Sequence, residues 1–296
     1  MFVKAIEEIQ KFTRPVHTIL RHYGNDFIEP GAATLFFVNE FGVAITCKHV
    51  LDLLLQEHVI NAKYVNFKQE KNKLGSTSGP NYQEQLTVLE QNYQYGQNEA
   101  IAQLKNSLIN CTNSSAYDYI PHPTLDLAII KFKDVQQKHY TSFATFKKEG
   151  TELKQGKSLC RYGFPFAEFS NFAYDTLKDE INFTTTGNIN SPSFPIEGMV
   201  TRHVSDGQNI VGAELSTPGL SGQSGGPLFD TEGLIYGMQS ETVQYHLGFD
   251  EKNIKIIRKG KKISTTNHSF LNVGRCVHVD AIKTFLKLNT IPYYEG

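Results

Sequence analysis

Three short segments carry residue types that together perform nucleophilic hydrolysis. The hexapeptide Gly222-Gln223-Ser224-Gly225-Gly226-Pro227 places a serine among glycines, and His49 ends an apolar strand-like run. Asp126 opens another apolar run, Leu127 to Ile130. A serine hydroxyl is a poor nucleophile near neutral pH, so a histidine must take its proton and a carboxylate must orient that histidine. The residue types therefore indicate acyl-transfer chemistry.

Each segment also has a simpler structural interpretation. A glycine-rich hexapeptide forms tight turns, a histidine after a strand is often structural, and an aspartate can pair with a nearby backbone donor. The catalytic interpretation is favoured because the three segments occur together in the order His, Asp, Ser. That order is one of three unrelated arrangements of the same triad and is typical of the chymotrypsin-like β-barrel enzymes.

The sequence motifs in the three segments resemble those of the trypsin-like superfamily. Within it they are most similar to the bacterial HtrA-like branch, here without a PDZ domain. The matching elements are Thr46-x-x-His49-Val50, Asp126-Leu127-Ala128-x-x-Lys131, the Gly222 to Leu228 loop and a glycine-bearing hairpin from Asp230 to Gly237. The resemblance implies an all-β fold: a chymotrypsin-like double six-stranded β-barrel with a C-terminal helix and a polar insertion in the first barrel. It also implies serine endopeptidase activity through a covalent acyl-enzyme.

The same resemblance implies a role for each site residue. His49 would be the general base, Asp126 would orient it, and Ser224 would be the nucleophile. The backbone N–H groups of Gly222 and Ser224 would form the oxyanion hole. Ser240 would support the triad carboxylate. The substrate-binding residues would be Pro218, Gly219, Leu220, Ser221, Ser240, Glu241 and Thr242.

Two positions depart from the digestive enzymes. Gln223 replaces the aspartate that pairs with a newly cut N-terminus, so activation by that route is not expected. Pro218 stands where a trypsin-type enzyme carries an acid, so a preference for Lys or Arg is not supported, although Glu241 could favour a basic residue nearby.

The chain is predicted to divide into four parts: an N-terminal helix (1–12), a first barrel (13–150) with an insertion at 68–118, a second barrel (151–278), and a C-terminal helix with a tail (279–296). Val3, Ile6 and Ile9 indicate that the first helix packs on a barrel. The other predicted elements are a helical turn at Leu51 to Leu55, a helix around Ile101, Leu104 and Leu108, and strands at Thr34 to Val38, Val43 to Thr46, Thr184 to Gly187, Gly198 to Thr201 and Ile210 to Ala213.

Composition narrows the function classes. The net charge of −1 gives no general attraction to nucleic acid or to an anionic membrane, and no apolar run approaches the roughly 18 residues of a spanning helix. The N-terminus lacks the apolar core of a secretory signal. Four cysteines occur singly, which argues against a metal site and favours a reducing cytoplasm. Neither a cofactor nor a metal is expected, and Cys47 is interpreted as a small core residue.

Several alternatives remain open from sequence. A catalytically weak pseudoprotease could act as a protein-binding module. An esterase could use the same triad, although the nucleophile-elbow esterases have the opposite order. The polar insertion at 68–118 is a surface elaboration or a site for a regulatory partner. A basic run from Lys252 to Lys262 predicts a hairpin with a basic tip, either solvated or an exosite for an acidic substrate segment.

Overall fold

The computed structural model describes residues 1–74, 79, 81–96, 100–148, 152–258 and 260–296. Over these residues the protein is mostly β, with two large sheets, a two-stranded ribbon and four helices, and this architecture is consistent with the chymotrypsin fold. The helices are α1 (Val3–Ile9), α2 (Lys48–Lys73), α3 (Tyr82–Asn92) and α4 (Val279–Leu288). No helix in the described ranges is long and apolar enough to cross a membrane.

The first sheet contains six strands in the spatial order β4-β1-β2-β3-β6-β5. Their bounds are β1 (Thr13–His22), β2 (Ile28–Phe37), β3 (Val43–Thr46), β4 (Ile101–Leu108), β5 (Tyr117–Pro121) and β6 (Ala128–Phe132). The strands predicted at Thr34 to Val38 and Val43 to Thr46 are confirmed as parts of β2 and β3. Strand β3 pairs with β6 so that Thr46 lies opposite Ala128, which brings the ends of these two strands together.

The second sheet contains eight strands in the spatial order β13-β8-β11-β12-β15-β14-β7-β16. Strand β13 pairs with both β8 and β14, so six of these strands form a closed ring. The bounds are β7 (Thr145–Phe146), β8 (Ser158–Arg161), β11 (Ile196–Asp206), β12 (Asn209–Leu215), β13 (Pro227–Phe229), β14 (Ile235–Arg258), β15 (Lys261–His278) and β16 (Tyr294–Glu295). The ribbon is β9 (Phe172–Asp175) paired with β10 (Glu180–Phe183).

Helix α2 is much longer than the sequence analysis predicted. A single helical turn was expected at Leu51 to Leu55, followed by a loop from residue 68, but one helix of 26 residues runs through both. The segment contains neither glycine nor proline, so nothing in it breaks the helix. Its polar composition reflects a helix that lies on the protein surface and buries one stripe, with Leu54 and Phe67 among the buried residues.

The helix predicted around Ile101, Leu104 and Leu108 is wrong, because these residues form strand β4 at the edge of the first sheet. Leu104 lies opposite Leu20 of β1. The other side of β4, which pairs with no strand among the described residues, faces α2. Asn61 of α2 donates to the carbonyl of Leu104 and accepts from its N–H group, at 2.7 and 3.0 Å. The edge is therefore covered by helical side chains. The range 68–118, predicted as an insertion, contains the end of α2, helix α3, strand β4 and the start of β5, while its residues 75–78, 80 and 97–99 lie outside the described residues.

Two further predictions are corrected. Thr184 to Gly187 follow the ribbon strand β10 and are not a strand, whereas Gly198 to Thr201 and Ile210 to Ala213 are confirmed within β11 and β12. Helix α1 is present, but Val3 is 66% exposed; the buried side chains are Ala5, Ile9 and the preceding Phe2, which packs edge-on against Phe229. The predicted closing helix matches α4, and His278 caps it by accepting from the N–H group of Asp280.

Strands β14 and β15 extend far beyond the rest of the second sheet. From residue 246 to residue 270 they pair only with each other, through the pairs from His246–Phe270 to Arg258–Lys261, within the described residues. This projecting hairpin, here called the arm, confirms the hairpin predicted around Gly260, while Lys259 of the basic run lies outside the described residues.

Candidate active site

His49 is held in the first turn of α2 by Asp126. Asp126 lies just before β6, and the pairing of β6 with β3 brings it beside the start of the helix. One carboxylate oxygen accepts from the backbone N–H of His49 at 3.0 Å, and the other lies 2.9 Å from its Nδ1. The carboxylate thus fixes both the helix start and the imidazole orientation. The second ring nitrogen, Nε2, is left available to accept a proton.

The His49–Asp126 pair shifts the pKa of both groups. The hydrogen bond to Asp126 raises the pKa of His49 above its ordinary value of 6.5, against the opposing effect of burial. Burial alone would raise the pKa of Asp126, but the hydrogen bonds from the ring and backbone of His49 outweigh it, and the pKa falls below its ordinary value. The pair therefore favours an imidazolium next to an ionised carboxylate, the charge state that proton transfer from a nucleophile creates.

Cys47 lies directly behind this pair. Its thiol is fully buried and donates to the carbonyl of Gln239 at 3.2 Å. Burial raises the pKa of Cys47 well above its ordinary value, with the charge of Asp126 acting in the same direction. The thiol is therefore protonated at neutral pH. This packing agrees with its interpretation as a small core residue.

Ser224 lies in the loop between β12 and β13, and this loop is anchored to the first sheet. The carbonyl of Ser224 accepts from the N–H group of Thr34, and the carbonyl of Gly222 accepts from the Thr34 hydroxyl, at 2.9 and 2.8 Å. Gly222 and Gly225 both have positive φ, of 91° and 87°. A Cβ on Gly225 would lie 2.0 Å from the Thr34 carbonyl oxygen, so the loop can approach β2 only with glycine here.

His49, Asp126 and Ser224 line one cavity of about 630 Å³. The Ser224 hydroxyl donates to the carbonyl of Ser240 at 3.2 Å, and among the described residues it forms no hydrogen bond with His49. The N–H groups of Gly222 and Ser224 donate to no backbone carbonyl in the described part of the chain. Two unpaired N–H groups beside a serine hydroxyl are suited to bind an oxyanion.

Gln223, which replaces the aspartate of the digestive enzymes, is a neutral side chain that anchors the loop through hydrogen bonds. Its side chain is fully buried, accepts from the N–H group of Leu220 at 3.1 Å and donates to the carbonyl of Phe194 at 2.9 Å. The amide thus joins the loop before Ser224 to the segment that precedes β11, and both of its polar atoms have a hydrogen-bond partner. No charged N-terminus is needed for this anchoring.

The predicted substrate-binding residues lie on two facing segments. Ser240 and Glu241 line the cavity with the three predicted catalytic residues. Thr242 donates from its hydroxyl to the carbonyl of Gly219 at 2.7 Å, which joins the two segments. The carbonyl of Pro218 accepts from Arg161 at 3.0 Å. Leu220 and Ser221 lead from there into the Gly222 turn.

Two residues with expected roles have other partners among the described residues. The Ser240 hydroxyl, expected to support Asp126, donates to the carbonyl of Arg275 at 3.0 Å, and Cys47 is the side chain that lies close to Asp126. The carboxylate of Glu241, expected to favour a basic substrate residue, forms an ion pair with Arg275 at 2.8 Å. A basic substrate residue would therefore have to compete with Arg275 for this carboxylate.

Sequence reasoning missed Arg161 and Gln239, two buried polar residues next to these segments. The Arg161 guanidinium donates to Gln239 Oε1 and to the carbonyls of Thr217 and Pro218, at 2.8, 3.0 and 3.0 Å. An arginine inside the apolar run Leu159 to Tyr162 was the available signal, since a charged residue in a buried strand requires partners.

Two groups of side chains in the described residues have the spacing to hold a metal ion. One is Cys47, His49 and Asp126, which is the site already described, and the other is His246, Asp250 and His268 on the arm. In the arm group both imidazoles lie near the same carboxylate oxygen, and Nδ1 of His246 accepts from the N–H group of Gly248 at 3.1 Å.

The fold and these contacts define a mostly β protein with an ordered His–Asp pair facing a serine loop. The family model of the trypsin-like peptidase domain matches residues 33–238, and the chain belongs to that family. The matched range includes His49, Asp126 and Ser224. Curated proteins gave no match to the chain.

Proposed function

We propose that the protein is a serine endopeptidase that hydrolyses peptide bonds of protein substrates with Ser224 as nucleophile. Membership of the trypsin-like peptidase family implies protein substrates. The observation that carries the proposal is the two-point attachment of His49 to Asp126, at 3.0 and 2.9 Å, in the cavity that also contains Ser224. We also propose the double-barrel form of the fold and a reducing compartment, in keeping with four buried free thiols.

In the proposed reaction the Ser224 oxygen attacks the substrate carbonyl while His49 Nε2 takes its proton. The oxyanion of the tetrahedral intermediate accepts from the N–H groups of Gly222 and Ser224, and one such donor contributes about 3 kcal/mol to transition-state stabilisation. His49 then gives the proton to the leaving amine, which leaves an acyl group on Ser224. Water hydrolyses that ester with His49 again as base, and Asp126 stays ionised throughout.

For this reaction the Ser224 hydroxyl must turn from the Ser240 carbonyl toward His49. Rotation about one side-chain bond of an incompletely buried serine is fast compared with enzyme turnover. A substrate bound in the cavity would favour the hydroxyl orientation toward His49 if it binds that orientation more tightly than the one toward Ser240.

The decisive test is the Ser224→Ala variant, which removes the bond-forming atom. We expect casein cleavage to fall by several orders of magnitude and fluorophosphonate labelling to disappear, while the circular dichroism spectrum stays unchanged. Ser205→Ala, at an exposed serine of β11, is the matched control and should keep wild-type activity. Retention of a tenth of wild-type turnover by Ser224→Ala would contradict the proposal.

A second candidate is a protein-binding module with weak or no catalysis. The hydrogen bond from the Ser224 hydroxyl to the Ser240 carbonyl favours it, because a binding module does not require a serine directed at His49. The two candidates differ in one measurement: a binding module leaves Ser224 unlabelled by the fluorophosphonate and casein intact.

A further inference from the structure

The recess beside Ser224 is defined here as the space between residues 217–221 and residues 239–242. The carbonyl of Ser240 lies 3.2 Å from the Ser224 hydroxyl, and the N–H group of Gly225 donates to the carbonyl of Gln239 at 2.9 Å. If Ser224 is the nucleophile, as proposed above, these segments lie within reach of the side chain of the substrate residue that it attacks. The contents of the recess therefore determine which residue fits.

The side chain of Gln239 fills the recess. It is only 2% exposed, and its Nε2 donates to the carbonyl of Glu241 at 2.8 Å. A Cβ on Gly219 would lie 2.3 Å from that Nε2, so the amide packs directly against the Gly219 backbone. No room for a large substrate side chain is left between the two segments at this depth.

Thr242 closes the recess at its outer edge. Its hydroxyl donates to the carbonyl of Gly219 at 2.7 Å, a bond that spans the two segments. A substrate side chain longer than a few atoms would have to break this bond and displace the Gln239 amide. Both groups are held by hydrogen bonds that such a side chain does not replace.

Arg161 locks Gln239 in place from below. It is fully buried, and its guanidinium donates to Gln239 Oε1 at 2.8 Å and to the hydroxyl of Thr217 at 2.6 Å. Gly274 makes room for it, because a Cβ there would lie 1.9 Å from Nη1. Among the described residues its hydrogen-bond acceptors are carbonyl, hydroxyl and amide oxygens, not carboxylates. The base of the recess is therefore cationic and disfavours lysine and arginine.

We propose that Gln239, held by Arg161 and closed over by Thr242, fills the primary specificity recess, so that the enzyme cleaves after residues with small side chains such as alanine, glycine and serine. The cation underneath gives the proposal a second consequence. Removing the Gln239 amide would open a pocket whose base carries a positive charge, suited to an acidic side chain.

The test is the rate at which Ser224 is labelled by peptidyl phosphonates that carry alanine, phenylalanine, lysine or glutamate next to phosphorus. We expect the wild-type protein to react at least ten times faster with the alanine probe than with the phenylalanine and lysine probes. Thr242→Gly should gain reactivity with phenylalanine, and Gln239→Ala should gain at least tenfold with glutamate. Gln244→Ala, at an exposed glutamine of the same strand, is the control and should keep the wild-type order.

Wild-type labelling that is fastest with phenylalanine or lysine would overturn the inference, as would failure of every peptidyl probe on a protein that fluorophosphonate labels. An alanine preference that neither variant changes would overturn the role of Gln239 and Thr242. If Gln239→Ala does not fold, Thr242→Gly, at an exposed position, decides alone. Absence of fluorophosphonate labelling in the wild-type protein is a different result, because it contradicts the proposed function itself.

Discussion

At the scale of single residues, His49 and Asp126 predict a distinctive pH dependence. His49 must be neutral to act as base, and the hydrogen bond to Asp126 raises its pKa above 6.5. Activity should therefore be low in acid and rise with pH through a midpoint above 6.5, the reverse of an enzyme that needs a protonated histidine. The measurement is kcat/KM for a peptide substrate between pH 5 and pH 9.

Two variants distinguish the hydrogen bond between Asp126 and His49 from the electrostatic effect that any nearby carboxylate has on the pKa of His49. Asp126→Asn should lower kcat/KM by about 10⁴, because the amide presents the wrong tautomer to the imidazole. Asp52→Asn removes a carboxylate that also raises the pKa of His49 but does not orient the ring, so it should move the midpoint slightly down and preserve the maximum rate. An equal loss of rate in both variants would contradict the role given to Asp126.

The residues proposed to act as a catalytic triad could be selected from the sequence because their types are restricted. A serine among positive-φ glycines, a histidine at a strand end and an aspartate before a strand leave few other chemistries. Arg161 and Gln239 were missed because their importance depends on what surrounds them. Only the folded chain shows that Gly274 leaves space for the guanidinium and that Gly219 contacts the amide.

At the scale of elements, one carboxylate connects the β9–β10 ribbon to a strand and a helix from the first half of the chain. Asp179, in the turn before β10, accepts from Arg21 of β1 at 2.6 Å and from Tyr64 of α2 at 2.7 Å. It also accepts from Tyr174 of β9 at 2.8 Å. The Arg21 side chain is buried, so without Asp179 its charge would lose its ion-pair partner.

We expect Asp179→Asn to lower the free energy of unfolding by about 1–3 kcal/mol, less than for a fully buried pair because the carboxylate is partly exposed. Asparagine tolerates the positive φ of this position, so the backbone is not the cause. Urea denaturation measures the change, with Glu180→Ala on the same ribbon as the control. Equal stability of the variant and the wild-type protein would show that the tyrosine contacts suffice.

The elements that sequence misplaced share a physical reason. The helical turn was predicted only to Leu55, but α2 continues through Glu57 and Asn61, and both side chains hydrogen-bond the open edge of β4. The spacing of Ile101, Leu104 and Leu108 fits a helical period, but this segment hydrogen-bonds to β1 and therefore forms a strand. Helix α4 was predictable because its apolar period and its boundaries agree with its packing.

At the scale of the whole molecule, the arm should be separable from the rest. The family match ends at residue 238, and the arm, residues 246–270, exposes apolar side chains such as Phe249 and Ile257. A two-stranded ribbon contributes little to the stability of the body on which it stands. Replacing residues 247–269 by Asn-Gly joins the paired residues His246 and Phe270 through a two-residue turn.

This shortened protein should melt within about 3 °C of the full chain, since few buried contacts are lost. Its labelling by fluorophosphonate should stay within about twofold of wild type, because the hydrogen bonds described above for His49, Ser224 and Gln223 are made by residues outside the arm. Differential scanning calorimetry and labelling rates measure the two quantities. A large drop in melting temperature would mean that the arm is part of the folding unit.

The position of the arm also bears on what happens when the chain is cut. Its tip joins β14 to β15, and both strands lie inside the closed ring of the second sheet, with β15 paired to β12 and β14 paired to β13. A nick at the tip breaks a peptide bond but no strand pairing in the ring. The two pieces should therefore stay associated under native conditions and separate only in denaturant, so a gel with two bands would not by itself indicate an inactive protein.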